Sequence, residues 1–168
     1  MILYLDASAL VKRFVAEPGT EAVNQIVSRA EVMGTAIICR AEVAAAFAKA
    51  IRTGTLTPTG AAAALQEFRD EWPQLIRLQV TERLMAHADS LAWSHGLRGY
   101  DAVHLAAAMA WQDEFGMQVT LATFDQLLWK AANRTGILVY PQDLPALLEG
   151  WAERPRCSTM TVVSEPGF

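Results

Sequence analysis

Short apolar runs alternate along the chain with longer stretches in which apolar residues recur every three or four positions. The runs have the length of buried strands, and the longer stretches have the spacing of amphipathic helices. The runs predict five strands: Leu3–Leu5, Thr35–Cys39, Ile76–Val80, Val119–Phe124 and Ile137–Tyr140. Strands that alternate with helices form a parallel sheet covered on both faces. The predicted fold class is therefore α/β, with three layers (α/β/α) and a central parallel sheet of four to five strands.

Helices are predicted between these strands, and several of them end at a glycine or a proline, as Gly54 and Pro73 illustrate. The predicted helices are Ala7–Ala16, Thr20–Arg29, Arg40–Arg52, Thr57–Trp72, Thr81–His95, Ala102–Phe115, Gln126–Arg134 and Leu144–Trp151. Residues 1–150 are predicted to form a single domain. Residues 151–168 are predicted to be a poorly ordered extension, in which residues 160–163 add a short edge strand.

Composition limits the classes of function. Hydrophobic residues make up 52% of the chain and charged residues 19%, which is typical of a well-packed soluble protein. The formal net charge of −4 lacks the overall basic footprint of a protein that wraps nucleic acid. A role on nucleic acid would therefore depend on a local basic patch, on a metal ion or on a second subunit.

The two cysteines, Cys39 and Cys157, do not have the spacing of a metal site. Cys39 lies in an apolar run and is predicted to be a buried free thiol, which favours a reducing, cytoplasmic compartment. The chain does not begin with the pattern of an export signal. Residues 102–111 are the most apolar stretch, but His104 interrupts it and it is shorter than the ~20 residues of a membrane span. We therefore expect no association with a membrane.

Four acidic residues occur where a predicted strand passes into a helix or where a helix begins. Asp6 follows the first strand, Asp125 follows the fourth, Asp101 begins a helix after Gly99-Tyr100, and Glu42 lies in the first turn of another helix. In a parallel sheet the carboxyl ends of the strands lie along one edge, where ligands bind. These junction acids are therefore candidates for a shared site.

Each junction acid also has a simpler explanation. Asp6, Asp101 and Asp125 can be helix N-caps, and a first-turn acid such as Glu42 is favoured by the helix dipole. Glu82 and Asp143 occupy comparable positions after other strands. Position alone therefore does not distinguish a site from capping.

Four clustered carboxylates would repel one another, and a divalent cation removes that repulsion. Ligation by oxygen alone favours Mg²⁺ or Mn²⁺ over Zn²⁺, and such a site suits metal-assisted hydrolysis of phosphodiester bonds. Ser8 and Thr123 lie beside two of the acids, where their hydroxyls can orient a carboxylate or a water, or simply stabilise a turn.

Four segments resemble the acidic motifs of PIN-domain ribonucleases, and most closely those of the VapC-type toxins of prokaryotic toxin–antitoxin pairs. They are Leu5–Ser8, Arg40–Val43, Tyr100–Ala106 and Ala122–Leu127, in the right order within residues 1–145. The segment Tyr100–Ala106 is the most specific of them. Residues after about Trp151 match no motif of the family.

The resemblance implies a PIN-like fold and an endoribonuclease that depends on Mg²⁺ or Mn²⁺ and acts on structured RNA such as tRNA. Asp6, Glu42, Asp101 and Asp125 carry over as catalytic and metal-binding residues, with Ser8 and Thr123 as helpers. It also implies a homodimeric toxin that is neutralised by a VapB-type antitoxin, whose C-terminal segment covers the acidic site.

Other polar and aromatic residues have more ordinary interpretations. His104 follows Asp101 by three residues on one helical face, but a single histidine in an alanine-rich helix is more typical of packing, and it is left outside the predicted catalytic set. The basic residues nearest the motifs are candidates for binding RNA phosphates or are solvated charges: Lys12, Arg13, Arg40, Lys49 and Arg98. The five tryptophans are predicted to pack in the core or in a dimer interface.

Two alternative functions stay open on the sequence. A receiver-like signalling domain also gathers aspartates around Mg²⁺, but it needs a lysine at the end of its last strand, where this chain has Tyr140 and Pro141. A PIN-like module that binds RNA without turnover is the other alternative, and the presence of all four junction acids argues against it.

Overall fold

The computed structural model of the chain describes residues 1–152 and 161–162. Its strands are β1 (Ile2–Leu5), β2 (Val15–Ala16), β3 (Val32–Ala36), β4 (Ile76–Leu78), β5 (Val119–Ala122), β6 (Leu138–Tyr140) and β7 (Thr161–Val162). Its α-helices are α1 (Ala7–Phe14), α2 (Thr20–Val27), α3 (Cys39–Arg52), α4 (Pro58–Glu71), α5 (Glu82–His95), α6 (Gly99–Phe115), α7 (Gln126–Thr135) and α8 (Leu144–Ala152), and residues Trp72–Gln74 form a 3₁₀ turn.

Five of these strands form one sheet in the order β4-β3-β1-β5-β6, and every neighbouring pair is parallel. Helices cover both faces, so the predicted three-layer α/β fold is confirmed. From the central strand β1 the chain first builds β3 and β4 on one side, and later β5 and β6 on the other. The order of the strands therefore reverses between β1 and β5, which is where open α/β sheets bind ligands.

The central strand is buried because both of its faces pack against helices. Ile2 and Tyr4 lie in one hydrophobic core with residues of α5, α6 and α7. Leu3 and Leu5 lie in a second core with residues of α1, α2, α3 and α4. Successive strand residues point to opposite faces, so an unbroken apolar run is what a strand between two cores requires.

The second strand of the sheet begins and ends earlier than predicted. It spans Val32–Ala36, whereas the apolar pattern predicted Thr35–Cys39, and Cys39 instead begins α3. Its register on β1 pairs Ile2 with Val32 and Tyr4 with Gly34. Pairing with the central strand thus decides this boundary, and local hydrophobicity does not.

The first helix ends at Phe14, and the prediction that it continues to Ala16 is wrong. Val15 and Ala16 form β2, which pairs with β7 in a separate antiparallel ribbon. Residues 161–162 are thus a strand, but they pair outside the main sheet; residues 160 and 163 lie outside the described residues. The proposed division of the chain at residue 150 stays a prediction.

The tryptophans divide between the core and the surface. Trp72 and Trp111 are buried, and Trp151 stacks on Phe124 with 5.8 Å between the ring centroids. Trp93 is 92% exposed, so core packing does not explain it, and a place in a dimer interface stays a prediction for it. Within the part of the chain that the structure describes, no helix has the length and apolar character needed to span a bilayer.

Gly34 allows Trp111 to pack against the sheet, and we expect Gly34→Ala to destabilise the protein by about 2 kcal/mol because it overpacks this contact. A Cβ atom on Gly34 would lie 2.6 Å from the Trp111 ring and 3.1 Å from the Ile76 carbonyl oxygen. Gly99→Ala is the matched control, since a Cβ there meets no atom within 4 Å. Urea unfolding measures both variants. Equal urea midpoints for Gly34→Ala and Gly99→Ala would show that Trp111 can move away from an added Cβ without loss of stability.

Candidate active site

The Asp6 carboxylate lies at the end of the central strand and is held by several donors. Asp6 is the N-cap of α1, and its Oδ1 accepts a hydrogen bond from the Ala9 N–H (2.8 Å). Thr123 Oγ1 donates to its Oδ2 at 2.7 Å, and Ser8 Oγ lies 2.7 and 2.9 Å from the two carboxylate oxygens. Burial raises the pKa of Asp6, and these hydrogen bonds oppose the shift. The same side chain therefore caps a helix and presents a buried carboxylate.

Ser8 and Thr123 tie the ends of β1 and β5 together. The Phe124 N–H donates to Ser8 Oγ (2.8 Å), and the Asp125 N–H donates to Thr123 Oγ1 (3.1 Å). Each hydroxyl thus receives a backbone hydrogen bond and also contacts Asp6. This arrangement fixes the orientation of the Asp6 carboxylate relative to the segment that carries Asp125.

Asp125 is the N-cap of α7, in agreement with the capping interpretation, but only one of its carboxylate oxygens accepts the capping hydrogen bonds. Its Oδ1 accepts hydrogen bonds from the N–H groups of Leu127 (2.8 Å) and Leu128 (3.0 Å). Its Oδ2 lies 3.8 Å from Arg98 Nη1. The second oxygen is thus left to interact with groups around the site.

Asp101 is not a helix N-cap. The helix α6 begins at Gly99, with Arg98 as the extended N-cap residue, so Asp101 lies within the first turn. Its Oδ2 is buried and has no hydrogen-bond partner among the described residues. Burial and, to a smaller extent, the charge of Asp125 raise the pKa of Asp101 to about 6.

Glu42 lies in the first turn of α3, as predicted, and its carboxylate contacts a buried histidine. His104 Nε2 lies 2.8 Å from Glu42 Oε2, and the other ring nitrogen, Nδ1, lies 2.8 Å from the Tyr4 hydroxyl. Residues of three different elements, β1, α3 and α6, thus meet through this imidazole ring.

The charges of the junction acids influence two groups, the carboxyl of Asp101 and the thiol of Cys39. The charges of Asp125 and Asp6 both raise the pKa of Asp101. The charges of Glu42 and Asp6 both raise the pKa of the Cys39 thiol, for which burial is the main cause. Asp6, Asp101 and Asp125 are thus close enough for their charges to interact, and Glu42 contacts α6, the helix that carries Asp101, through His104.

This donor set fits a hard divalent cation. The charges of Asp125 and Asp6 raise the pKa of Asp101, and Asp101 Oδ2 is a buried acceptor with no partner among the described residues. A cation bound between them would satisfy that oxygen and offset the repulsion. A second group of possible ligands, Cys39, Glu42 and His104, brings a sulfur, an oxygen and a nitrogen within 4.8 Å of one another.

Comparison with known proteins agrees with this geometry. The chain matches the family model of the PIN domain over residues 3–133. It is 34% identical over 143 residues to ribonuclease VapC45 of Mycobacterium tuberculosis, covering 85% of this chain and 97% of the relative. The chain belongs to the PIN domain family.

Solved structures of PIN domains share its fold. The crystal structure of VapC20 from Mycobacterium tuberculosis, described as a sarcin-ricin loop cleaving toxin, aligns with a TM-score of 0.58 at 16% identity, over 81% of this chain and 96% of that one. A toxin–antitoxin complex from Klebsiella pneumoniae aligns with a TM-score of 0.52 at 15% identity, over 73% of this chain and 86% of that one. Membership of the PIN family decides against the receiver-like alternative.

Nucleases of the PIN domain family generally depend on a divalent metal, and among the described residues of this PIN domain Cys39, Glu42 and His104 form a group that could hold one. Two residues of the site region were left outside the predicted set, His104 and Tyr4. The sequence did contain a signal for His104. A histidine buried in an apolar helix needs polar partners, and Glu42 is an acid beside an otherwise apolar helix face. Their pairing joins residues that are 62 positions apart, so no local pattern could reveal it.

The basic residues near the motifs of this PIN domain have different surroundings. Arg13 forms a bidentate ion pair with Glu71, and Lys12 pairs with Glu17. Both basic side chains are thus bound to acids within the protein. Arg98 is exposed beside the site and faces Asp125. Arg40 and Lys49 are also exposed. Of the five basic residues near the motifs, those that are exposed are thus Arg98, Arg40 and Lys49.

Proposed function

We propose that this PIN domain is an endoribonuclease of the VapC type, in which Asp6, Glu42, Asp101 and Asp125 hold a catalytic Mg²⁺ or Mn²⁺ ion. The observation that carries the proposal is the Oδ2 atom of Asp101, which is buried without a hydrogen-bond partner among the described residues. Burial and the charge of Asp125 raise the pKa of this carboxyl to about 6. Without a cation this oxygen is a cost to the fold, and with one it is a ligand.

The protein side chains supply position and charge. Ser8 and Thr123 hold the Asp6 carboxylate in one orientation, and the helix N–H groups hold one oxygen of Asp125. The bound ion supplies stabilisation of the charge that develops on the phosphate and lowers the pKa of water. In the reaction the oxygen of a water molecule bonds to phosphorus and that water loses a proton, while the bond from phosphorus to one ribose oxygen breaks and the released ribose oxygen takes up a proton.

The substrate is RNA with secondary structure, for which tRNA is a natural first test. Support comes from similar proteins: a relative at 34% identity is named a ribonuclease, and a structural neighbour is described as cleaving the sarcin-ricin loop. The exposed cations Arg40, Lys49 and Arg98 offer phosphate contacts on a protein that is acidic overall.

The partner is a small VapB-type antitoxin, and the functional form is a homodimer in the cytoplasm. The toxin–antitoxin complex among the structural neighbours supports the kind of partner. The buried free thiol of Cys39 is in keeping with a reducing compartment. A short reading frame next to the gene, whose product binds the protein and stops cleavage, is the observation to seek.

The test combines RNA cleavage with metal binding. Purified protein is incubated with total tRNA in Mg²⁺, in Mn²⁺ and in EDTA, and binding of Mn²⁺ is followed by the electron paramagnetic resonance of the free ion. We expect discrete RNA fragments with either metal and none in EDTA. Binding of Mn²⁺ without cleavage of any RNA would instead favour the module that binds without turnover.

Binding of Mn²⁺ should weaken as the pH falls below about 6. Asp101 has to lose its proton before it can be a ligand, and its pKa is raised to about 6. With one proton released per ion, the apparent affinity falls about tenfold for each pH unit below that value. Titrations at pH 5, 6 and 7 measure the slope. An affinity that does not change over this range would remove Asp101 from the ligands.

A further inference from the structure

A chain of hydrogen bonds runs from the backbone of the sheet to Glu42. The Ala36 N–H donates to the Tyr4 hydroxyl oxygen (3.0 Å), that hydroxyl lies 2.8 Å from His104 Nδ1, and His104 Nε2 lies 2.8 Å from Glu42 Oε2. Tyr4 is fully buried and His104 is 2% exposed, so water cannot replace these contacts.

The direction of each hydrogen bond follows from the groups involved. The Tyr4 oxygen already accepts from the Ala36 N–H, so its own hydrogen needs an acceptor, and among the described residues that acceptor is His104 Nδ1. Nε2 then carries the ring hydrogen, which it donates to the Glu42 carboxylate. Every polar hydrogen in the chain has an acceptor in this single arrangement.

We propose that His104, oriented by Tyr4, is a positioning residue that holds the Glu42 carboxylate in place for the metal ion. The inference rests on the proposed function and adds two residues to it. Glu42 has a flexible side chain that is 21% exposed, whereas the imidazole ring is fixed at both nitrogens. A bond from a rigid, buried donor restricts the glutamate to one orientation and removes the entropy cost of ordering it when the ion binds.

The same geometry argues against a separate metal site at Cys39, Glu42 and His104. Their three ligand atoms lie within 4.8 Å of one another, but a metal on His104 Nε2 would displace the hydrogen bonded to Glu42. The ring hydrogen would then move to Nδ1, and the Tyr4 hydroxyl would lose its acceptor in a site closed to water. The hydrogen bonds thus assign His104 to Glu42 and leave Cys39 as a packing residue.

The experiment measures Mn²⁺ affinity in variants of the full-length protein. We expect His104→Leu to weaken binding 10- to 100-fold, the usual effect of removing a hydrogen-bond partner of a metal ligand. His104→Gln keeps an N–H donor near the position of Nε2 and should recover most of the affinity. Tyr4→Phe should lie between the two. Cys39→Ala is the matched control, because it alters a buried neighbour of Glu42 outside the chain of hydrogen bonds, and it should bind Mn²⁺ like the parent.

Glu42→Gln separates the two levels of the proposal. If Glu42→Gln loses affinity and His104→Leu does not, the metal site stands and the positioning role is wrong. If Glu42→Gln binds Mn²⁺ like the parent, Glu42 is not a ligand and the proposed site itself fails. Zinc binding that Cys39→Ala abolishes would assign the His104 nitrogen to a metal and also overturn the inference.

A second measurement does not depend on substitution at His104. Nitrogen-15 NMR of the imidazole distinguishes the two tautomers, and the metal-free protein should show the ring hydrogen on Nε2. In Tyr4→Phe the ring loses the donor that selects this tautomer, so the signal should shift toward a mixture. A ring hydrogen on Nδ1 in the parent would contradict the proposed direction of the hydrogen bonds.

Discussion

Asp101→Asn should abolish RNA cleavage while it stabilises the metal-free protein. The amide is a poor ligand for Mg²⁺ in place of a carboxylate, and losing several kcal/mol of charge stabilisation lowers the rate about a thousandfold or more. The gain in stability has a different cause: the variant removes a half-buried carboxylate whose charge is unfavourable in the metal-free protein, as its pKa of about 6 indicates. After allowance for solvent screening, the gain is about 1 kcal/mol at neutral pH.

The gain depends on pH in a defined direction. Because the pKa of Asp101 is raised from 3.8 to about 6, the folded parent binds more protons than the unfolded chain in that interval. The stability of the metal-free parent therefore falls as the pH rises through this window, whereas the amide of the variant has no proton to lose. The advantage of the variant is complete above about pH 6 and disappears below 3.8. Urea unfolding in EDTA at several pH values measures it.

Glu82→Gln is the matched control for Asp101→Asn. Glu82 is also an acid in the first turn of a helix, but it is exposed and lies after the edge strand β4. We expect this variant to cleave RNA and to unfold like the parent. Cleavage by Asp101→Asn at the parent rate would show that the site lies elsewhere.

Substitutions of Asp6 should separate its two roles. Asp6→Asn keeps an oxygen that can accept from the Ala9 N–H, whereas Asp6→Ala loses that cap and also the acceptor for the hydroxyls of Ser8 and Thr123. Both variants lose the carboxylate, so both should lose RNA cleavage. Asp6→Ala should in addition be less stable than Asp6→Asn by about 2–3 kcal/mol, the sum of a lost cap and unsatisfied buried donors.

Urea unfolding in EDTA compares the two variants, with Thr57→Ala as a control for capping alone. Thr57 caps α4 through a hydrogen bond from the Gly60 N–H (3.0 Å), away from the junction acids. Its loss should cost about 1 kcal/mol and leave cleavage unchanged. Equal urea midpoints for Asp6→Ala and Asp6→Asn would show that capping by Asp6 does not stabilise the protein. RNA cleavage by either Asp6 variant at the parent rate would show that Asp6 is not catalytic.

The buried carboxylates are expected to destabilise the folded protein when no cation is bound. Asp6 and Asp101 both have raised pKa values because burial disfavours their charged forms. A ligand that binds only the folded protein recovers that free energy, so divalent metal should raise the melting temperature of the parent more than that of Asp101→Asn. Capping by Asp6 and Asp125 fixes the position of one oxygen of each carboxylate.

The pattern of apolar and polar residues was sufficient for the fold class and for the approximate position of every strand in the main sheet. The run before Asp6 and the glycine after each of several helices are local signals, and local signals predict elements well. Their ends were less predictable: Cys39 belongs to a helix and Val15 to a strand, because pairing with β1 and β7 decides those boundaries.

The motifs also placed each junction acid at a strand end or at the start of a helix. Sequence could not say whether Asp6 and Asp125 cap helices, and the structure shows that both do, with Asp125 Oδ2 outside the cap and 3.8 Å from Arg98 Nη1. Nor could it connect Tyr4, His104 and Glu42, since the two hydrogen bonds that join these side chains span 100 and 62 positions.

The sequence by itself thus determined which groups are present and on which element each one lies. Only the tertiary structure decided which of them meet and which carboxylate oxygens already have a hydrogen-bond donor. The physical reason is that element formation depends on neighbours three or four residues away, whereas burial and unpartnered oxygens such as Asp101 Oδ2 depend on the packing of distant elements.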